Sequence, residues 1–397
     1  MSLLDVIIVG AGPIGSYLAY KLADAGYEVL VLEKAEGLGS KTSCTGIIGR
    51  ECVSSFPVAE HVILRWVNSA RIFSPSGRSL RVFREEDQAC IIDRRAFDRN
   101  MAEQAQGRGA QYRLGSPVRD VKVGGSGVTV EVSSPGGDSI YNARAAVVAA
   151  GLGFRNTEKL GLGTVGDFVM GAQAEVSTHD VDEVEVYFGR KIAPGFFAWL
   201  VPTTPGKALA GLLSRRSPGI YLRKFIDALQ TKGKVVSIDS DLSHGGIPLK
   251  PLARTYGERL MVVGDAAGQV KPTTGGGVYY GLLCAEIAAN TLITALKADD
   301  LSAGSLSRYE RDWKTKLARE LRVGYWSRKL YEHLTDRQVD RIFDIMKSSG
   351  IDRALLEAKE LSFDWHSDIM LRLLGYRAVS KVVDVLKTPF PLKRRSK

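Results

Sequence analysis

The chain has 397 residues, 25% of them charged and 45% hydrophobic, with a net charge of +10. This composition is typical of an ordinary globular protein, and the length predicts two packed domains with a helical appendage. No helix-turn-helix, RNA-binding or zinc-finger pattern accompanies the positive charge, which argues against a nucleic-acid partner. The four cysteines form no Cys-x-x-Cys pair and the five histidines show no ligand spacing, so we expect reduced thiols, a cytoplasmic location and no metal site.

The N-terminus predicts a βαβ unit. Residues 4–9, LDVIIV, read as a buried strand, and the glycine motif GAGPIG follows them. Residues 14–25 read as a helix, and residues 28–34, EVLVLEK, read as a second strand. A strand, a glycine turn, a helix and a second strand in this order are typical of a dinucleotide-binding unit.

Each conserved feature of such a unit has a candidate residue here. Gly10 permits the tight turn, Gly12 lets a pyrophosphate approach the backbone, and Gly15 completes the glycine spacing. The N-terminus of the helix stabilises the phosphate charge. Glu33, at the end of the second strand, can accept hydrogen bonds from the adenosine ribose hydroxyls.

A second glycine-rich motif lies far from the first. The stretch VVGDAAGQVKPTTGGGVYYG places Gly264 and Asp265 after an apolar strand, and Gly275–Gly277 before an apolar segment that reads as a buried helix. This motif binds either a second cofactor or the far end of the first. Nothing else in the chain repeats the full βαβ pattern, and VGGSGV at 123–128 reads as a hairpin turn between two alternating strands.

The two motifs together resemble the signature of the FAD flavoproteins related to para-hydroxybenzoate hydroxylase. The resemblance implies one FAD, whose adenosine diphosphate half binds the first motif and whose ribityl chain and flavin bind the second. It implies that Asp265 bonds the ribityl hydroxyls and that Gly276, Gly277 and Val278 offer N–H groups to the flavin pyrimidine edge. The implied fold is α/β plus α: a Rossmann-like FAD-binding domain, an inserted antiparallel-sheet substrate domain and a C-terminal helical region.

A third match lies between these motifs. CIIDRRAFDRN resembles the segment of the class that starts a helix, and it places Arg94 near the FAD, with a surface salt bridge as the alternative role. Val118 matches a position whose backbone touches the adenine side. The cofactor residues implied by the resemblance are Gly10, Gly12, Ile14, Gly15, Glu33, Lys34, Cys44, Thr45, Gly46, Arg94, Val118, Gly264, Asp265, Gly275, Gly276, Gly277 and Val278.

Within this class, three further stretches resemble the geranylgeranyl reductase family. They are KTSCTGIIG with Cys44, PGFFAWLVP with Phe197 and Trp199, and GGIPLKPLART. The resemblance implies FAD-dependent hydrogenation of C=C bonds in the geranylgeranyl or polyprenyl chains of lipids, by hydride transfer from flavin N5. This chain departs from the family where Lys271 replaces an acid. It also has no Asp-Gly after the strand at 145–150, which argues against direct reduction by NAD(P)H.

The resemblance assigns chemistry to Cys44 and substrate contacts to three aromatic residues. A thiol can donate the proton that accompanies hydride transfer, so Cys44 is the candidate catalytic residue or a gate above the flavin; the alternative is a small packing residue. Phe197 and Trp199 would line an apolar tunnel for an isoprenoid chain, and Tyr279, at the start of the helix after the glycines, would close the pocket near the flavin. The alternative for Phe197 and Trp199 is an ordinary sheet core.

The predicted FAD-binding domain combines residues 1–70, 90–170 and 250–300. Residues 71–89 and 171–249 form the predicted substrate domain, and residues 301–397 form a helical region that ends in a basic tail. The tail, LKTPFPLKRRSK, carries five positive charges and no acid. It is either a solubilising end or a contact with an anionic membrane surface, which would make the protein peripheral on the inner face of a membrane.

Two rival functions stay open at this stage. One is an aromatic hydroxylase, monooxygenase or halogenase of the same fold, and the other is a non-catalytic flavin electron-transfer protein. The reductase requires a reduced electron donor, ferredoxin-like or of another kind, which the sequence does not identify. No tryptophan-rich halogenase motif is found in the sequence.

Overall fold

The computed structural model describes residues 3–40, 44–133, 137–154, 156–348 and 362–375. The chain divides into two compact units. The first comprises Met1–Arg65, Cys90–Val169 and Gly245–Leu321, and the second comprises Trp66–Ala89, Met170–His244 and Arg322–Lys397. The assignment of a cofactor domain and a substrate domain to particular stretches stays a prediction.

The structure describes strands and α-helices throughout these ranges. The strands in chain order are β1 (Leu4–Val9), β2 (Val29–Leu32), β3 (Ile47–Gly49), β4 (Ile63–Val67), β5 (Ser69–Phe73), β6 (Ser79–Phe83), β7 (Ala89–Ile92), β8 (Gln111–Arg113), β9 (Val118–Val123), β10 (Val128–Val132), β11 (Ser139–Val148), β12 (Phe168–Thr178), β13 (Val184–Phe188), β14 (Phe197–Pro202), β15 (Lys207–Ser214), β16 (Val235–Ile238), β17 (Ser243–Pro248), β18 (Tyr256–Gly257) and β19 (Leu260–Val262). The helices are α1 (Pro13–Asp24), α2 (Arg50–Ser55), α3 (Arg94–Gly107), α4 (Pro218–Thr231), α5 (Val278–Lys297), α6 (Ala303–His333), α7 (Asp336–Ser348) and α8 (Ser367–Gly375).

The sheet of the first unit has the strand order β18-β19-β11-β1-β2-β8, with β9 and β10 paired beside β11. Strands β8, β2, β1, β11 and β19 run parallel. Ile7 and Ile8 in β1 and Val147 in β11 are fully buried, as expected where helices cover both faces of a parallel sheet. The carboxyl ends of these strands therefore meet at one edge, where such sheets bind ligands.

The sheet of the second unit has the order β16-β12-β15-β14-β13-β5-β6, with β17 paired to β12. Helix α4 buries Leu222, Phe225, Ile226 and Leu229 within the core of this unit. The expectation of an antiparallel sheet needs one correction, because β5 and β13 pair in parallel. These two strands come from separate stretches of the chain, so no hairpin forces them to run in opposite directions.

Helix α5 is long and apolar enough to cross a membrane by length and composition. However, 61% of its apolar window is buried inside the structure, as in the core helix of a folded domain. Helix α6 begins in the first unit and ends in the second. The Rossmann-like sheet, the second sheet and the C-terminal helices confirm the predicted fold class; the basic tail lies outside the described residues.

Candidate functional site

The first glycine motif connects β1 to α1. Gly10 has φ of +106°, and a Cβ atom there would lie 2.7 Å from the carbonyl oxygen of Ala149. A Cβ on Gly15 would lie 2.1 Å from the carbonyl oxygen of Gly10, so only glycine lets α1 pack this closely on the strand. A Cβ on Gly12 would meet no atom within 4 Å. The first turn of α1 therefore faces open space, where backbone N–H groups can reach an anion.

Glu33 is held against this motif by backbone donors. The N–H of Ala11 donates to Glu33 Oε2 at 2.8 Å, and the N–H of Ala35 donates to Glu33 Oε1 at 2.9 Å. A carboxylate has about four lone-pair sites, so both oxygens keep capacity for further donors such as sugar hydroxyls. The adjacent Lys34 places Nζ 3.7 Å from the position of a Cβ on Gly153.

The second glycine-rich motif packs directly on the first. Gly264 has φ of +67°, and a Cβ there would lie 3.2 Å from Ile14 Cγ1. A Cβ on Gly281, in α5, would lie only 2.7 Å from the same carbon. Ile14 belongs to the first turn of α1, so its side chain fills the space between the two motifs. The fold brings these distant stretches of sequence into one site.

Asp265 and the glycines before α5 interlock. A Cβ on Gly277 would lie 2.5 Å from Asp265 Oδ1, so the carboxylate occupies the space of the missing side chain. Gly275 has φ of +78°, and no side chain caps the N-terminus of α5. Burial raises the pKa of Asp265 to about 6, while the positive charge of Arg94 acts in the opposite direction. The helix begins at Val278, directly after the glycines.

Arg94 is the first residue of α3, whose N-terminus is capped by Asp93. The Asp93 side chain accepts hydrogen bonds from the N–H groups of Arg95 and Ala96. Arg94 Nη2 donates to both carboxylate oxygens of Asp98, at 2.9 and 3.1 Å. A surface salt bridge was the alternative role for Arg94, and this needs correction. The two side chains are only 13% and 8% exposed, so the ion pair is buried.

Cys44 lies beside this arginine. Burial lowers the pKa of Arg94, because it disfavours the charged guanidinium. Asp98 and, to a smaller extent, Cys44 hydrogen-bond to Arg94 and raise its pKa, so that the pKa lies above its ordinary value. The loop that carries Cys44, here called the cysteine loop (residues 44–46), is held beside Arg94, because Ile92 N–H donates to the Gly46 carbonyl at 2.9 Å. A Cβ on Gly46 would lie 3.3 Å from Arg94 Cγ. Cys44 and Thr45 are half-buried, so Cys44 is both held in place and partly accessible.

Three buried residues that the sequence did not single out fix the second motif and the stretch that precedes it. Gln269 Oε1 accepts from the Gly264 N–H at 2.8 Å, and its Nε2 donates to the Tyr309 hydroxyl at 2.8 Å. Tyr309 in turn donates to the Val262 carbonyl at 2.8 Å. One turn later, Trp313 Nε1 donates to Thr255 Oγ1 at 2.9 Å. The aromatic face of α6 indicated packing, but no sequence signal identified these partners.

Two other predicted residues also lie in the first unit. Tyr279 is 3% exposed, and its hydroxyl donates to Glu51 Oε1 at 2.5 Å. Its ring makes an edge contact with Phe56 at a centroid distance of 6.1 Å. Val118 opens β9, pairs with Val132 and packs against the core of the first sheet.

Phe197 and Trp199 belong to the second unit, on β14. Their rings meet edge to face at 6.0 Å, and Phe197 lies 5.9 Å from Phe188. A Cβ on Gly211 would lie 2.5 Å from Trp199 Cε2, so the indole lies flat against the neighbouring strand. Both residues are half-buried rather than in the core, and they form one aromatic face of this sheet.

The raised pKa of Asp265 predicts an unusual pH dependence of stability. Its folded pKa of about 6 lies above the unfolded value of ~3.9, so stability falls as the pH rises through this window. We expect Asp265→Asn to stabilise the cofactor-free protein by about 1–3 kcal/mol at pH 8 and to have no such effect below pH 4. Thermal melts at the two pH values measure this difference. Equal effects at both would contradict the burial of the charged carboxylate.

Comparison with known proteins gives consistent matches over most of the chain. The family described as lycopene cyclase protein matches residues 5–349. The digeranylgeranylglycerophospholipid reductase of Methanocaldococcus jannaschii is 29% identical over 364 residues, which cover 88% of this chain and 92% of the relative.

Two solved structures share the fold. A geranylgeranyl bacteriochlorophyll reductase-like protein from Thermoplasma acidophilum has a TM-score of 0.82 at 23% identity, covering 97% of this chain and 100% of that one. A halogenase in complex with FAD has a TM-score of 0.66 at 15% identity, covering 97% and 95%. The resemblance to geranylgeranyl reductases is thus confirmed, and the chain belongs to the lycopene cyclase protein family.

Proposed function

We propose that this protein is an FAD-dependent reductase that hydrogenates C=C bonds in the geranylgeranyl or other polyprenyl chains of lipids. One observation carries the proposal: Arg94 hydrogen-bonds to Cys44 and packs 3.3 Å from the position of a Cβ on Gly46, so a buried cation is fixed beside the candidate proton donor. The name of the Methanocaldococcus relative, a digeranylgeranylglycerophospholipid reductase, supports the lipid substrate.

The residues present fit an FAD. Open space at Gly12, the uncapped start of α1 and the fixed Glu33 suit the adenosine diphosphate half. Asp265 and the uncapped start of α5 suit the ribityl chain and the pyrimidine edge of the flavin. When bound and reduced, FAD supplies a hydride from N5. The other proposed contacts come from residues flanking these two ends: Gly10, Ile14, Gly15, Lys34, Thr45, Gly46, Arg94, Val118, Gly264, Gly275, Gly276, Gly277 and Val278.

The protein's own contribution to the reaction is a proton donor that is held in a fixed position. Hydrogenation of an isolated C=C bond needs a proton at the carbon that does not receive the hydride. Cys44 Sγ donates this proton, and the Arg94 guanidinium stabilises the thiolate left behind. Asp98 fixes Arg94 through its paired hydrogen bonds, which keeps the cation directed at Cys44.

The substrate chain needs an apolar surface that excludes water. Tyr279 is fixed by its hydrogen bond to Glu51, so it supplies a rigid wall in the first unit. Phe197 and Trp199 supply an aromatic face in the second unit. Each of these residues is proposed, within its own unit, as an apolar contact for an isoprenoid chain.

A flavin-dependent aromatic hydroxylase or halogenase is the second candidate. The fold shared with the halogenase favours it, although 15% identity supports the fold alone. That function requires oxygen and an aromatic substrate, whereas the reductase needs only a reduced flavin and an alkene. A non-catalytic electron carrier would exchange electrons with a protein donor and turn over no small molecule.

An anaerobic half-reaction separates these functions. The FAD-loaded protein is photoreduced without oxygen and mixed with a digeranylgeranylglycerophospholipid, and the flavin absorbance is followed. The reductase predicts reoxidation of the flavin and two added hydrogens per turnover in the lipid mass. A flavin that stays reduced until air enters, followed by oxygenation or halogenation of an aromatic compound, would support the second candidate instead. Reduced ferredoxin is then tried as the physiological donor.

The basic tail is proposed to hold the protein on an anionic lipid surface. Each cation near such a surface contributes about 1 kcal/mol, so removing residues 387–397 should weaken binding to phosphatidylglycerol vesicles at least about tenfold. Vesicle sedimentation at low salt measures this, with phosphatidylcholine vesicles as the control. A truncated protein that binds both vesicle types like the full chain would assign the tail a solubilising role.

A further inference from the structure

Lys271 is a buried cation within the second glycine-rich motif. It is 4% exposed, and it stands where the resembling family has an acid. Its Cε lies 3.1 Å and its Nζ 3.7 Å from the position of a Cβ on Gly276. The ammonium also lies 5.7 Å from the ring centroid of Tyr280, which gives a favourable cation–π contact. The positive charge is therefore fixed beside the glycines that precede α5.

The backbone holds Lys271 in this position. Its N–H donates to the Gly276 carbonyl at 3.1 Å, and its own carbonyl accepts from the Gly275 N–H at 2.8 Å. Asp265 occupies the neighbouring space at Gly277. Two side chains of opposite charge thus lie beside successive glycines: the Asp265 carboxylate beside Gly277 and the Lys271 ammonium beside Gly276.

A fixed positive charge beside a bound group stabilises negative charge that develops there. We propose that the Lys271 ammonium provides the counter-charge for the anionic reduced form of FAD and so raises the midpoint potential of the bound flavin. The inference rests on the proposed function, because it takes Gly276 and Gly277 to contact the pyrimidine edge. Reduction adds two electrons and one proton to the neutral oxidised ring, which leaves one negative charge on the pyrimidine side. The electrons come from a low-potential donor, and dithionite is the reductant in the test.

The test compares Lys271→Met and Lys271→Gln, which remove the charge, with Lys271→Arg, which keeps it. Lys297→Met is the matched control, because it removes an exposed lysine at the opposite end of α5, about 30 Å away. Each FAD-loaded protein is titrated with sulfite, which adds at flavin N5 and leaves a negative charge on the ring, and its midpoint potential is measured. The neutral variants should bind sulfite at least about tenfold more weakly, with a potential lower by about 30 mV or more. Lys271→Arg and Lys297→Met should stay close to the unmodified protein.

The outcomes separate the inference from the function on which it rests. If the neutral variants bind FAD and keep both the sulfite affinity and the potential, the role of Lys271 is overturned while the reductase proposal stands. If Lys297→Met shifts the potential as much as Lys271→Met, the effect is one of net charge and the inference is likewise overturned. If the unmodified protein binds no FAD, the proposed function itself fails.

Discussion

Replacing Cys44 by serine is expected to remove most of the alkene reduction while FAD stays bound. A serine hydroxyl is a far weaker acid than a thiol, and a positioned general acid contributes about 10²–10⁴-fold to a rate. The rate at which a polyprenyl lipid reoxidises the reduced flavin should therefore fall by about that factor. Stopped-flow absorbance without oxygen measures this single turnover, and FAD affinity is measured separately.

Cys52→Ala is the matched control for this experiment. Cys52 is fully buried in α2, so its removal tests the loss of a thiol to which no role in proton transfer is assigned. Arg94→Met should slow the same turnover without removing the thiol, because it removes the cation that contacts Cys44. A Cys44→Ser variant that reoxidises at the unmodified rate would leave Cys44 with a packing role.

The local parts of the fold could be predicted from the sequence. Gly10 and Gly15 follow a buried strand at a spacing that has a steric cause, and the structure shows a close backbone contact at each of them. A Cβ on Gly12 meets no atom, so its predicted role in binding a pyrophosphate stays a prediction. The start of α5 after Gly277 was predicted from the glycines and the apolar segment that follows them. Such features depend on a few consecutive residues, whose backbone requirements can be derived without the rest of the chain.

Features that depend on distant contacts could not be predicted. Tyr309 accepts a hydrogen bond from Gln269 and donates one to Val262, which needs α6 to lie against the second motif, and nothing local to either stretch specifies this. The parallel pairing of β5 with β13 joins segments more than a hundred residues apart. The burial of the Arg94 ion pair likewise depends on what covers α3. A sequence pattern indicates that these residues are charged or aromatic, but tertiary packing determines their partners.

Alanine at Gly12 should weaken FAD binding, whereas alanine at Gly15 should lower the stability of the fold. Gly12 has φ of −67°, and an added Cβ meets no atom, so Gly12→Ala should fold with unchanged stability. The methyl group would instead occupy the space proposed for the pyrophosphate, and the Kd for FAD should rise at least about tenfold, or ~1.4 kcal/mol. FAD titration, followed by the flavin fluorescence, measures this effect.

Gly15→Ala should act on folding rather than on binding alone. Its Cβ would lie 2.1 Å from the Gly10 carbonyl oxygen, so α1 must move away from β1, at a cost of about 1–3 kcal/mol. Gly107→Ala is the control, since a Cβ there meets no atom within 4 Å and the residue ends α3. Melting temperatures of the cofactor-free proteins should fall for Gly15→Ala only. If Gly12→Ala binds FAD like the unmodified protein, no phosphate approaches this turn, and the first motif serves only to pack α1 on the sheet.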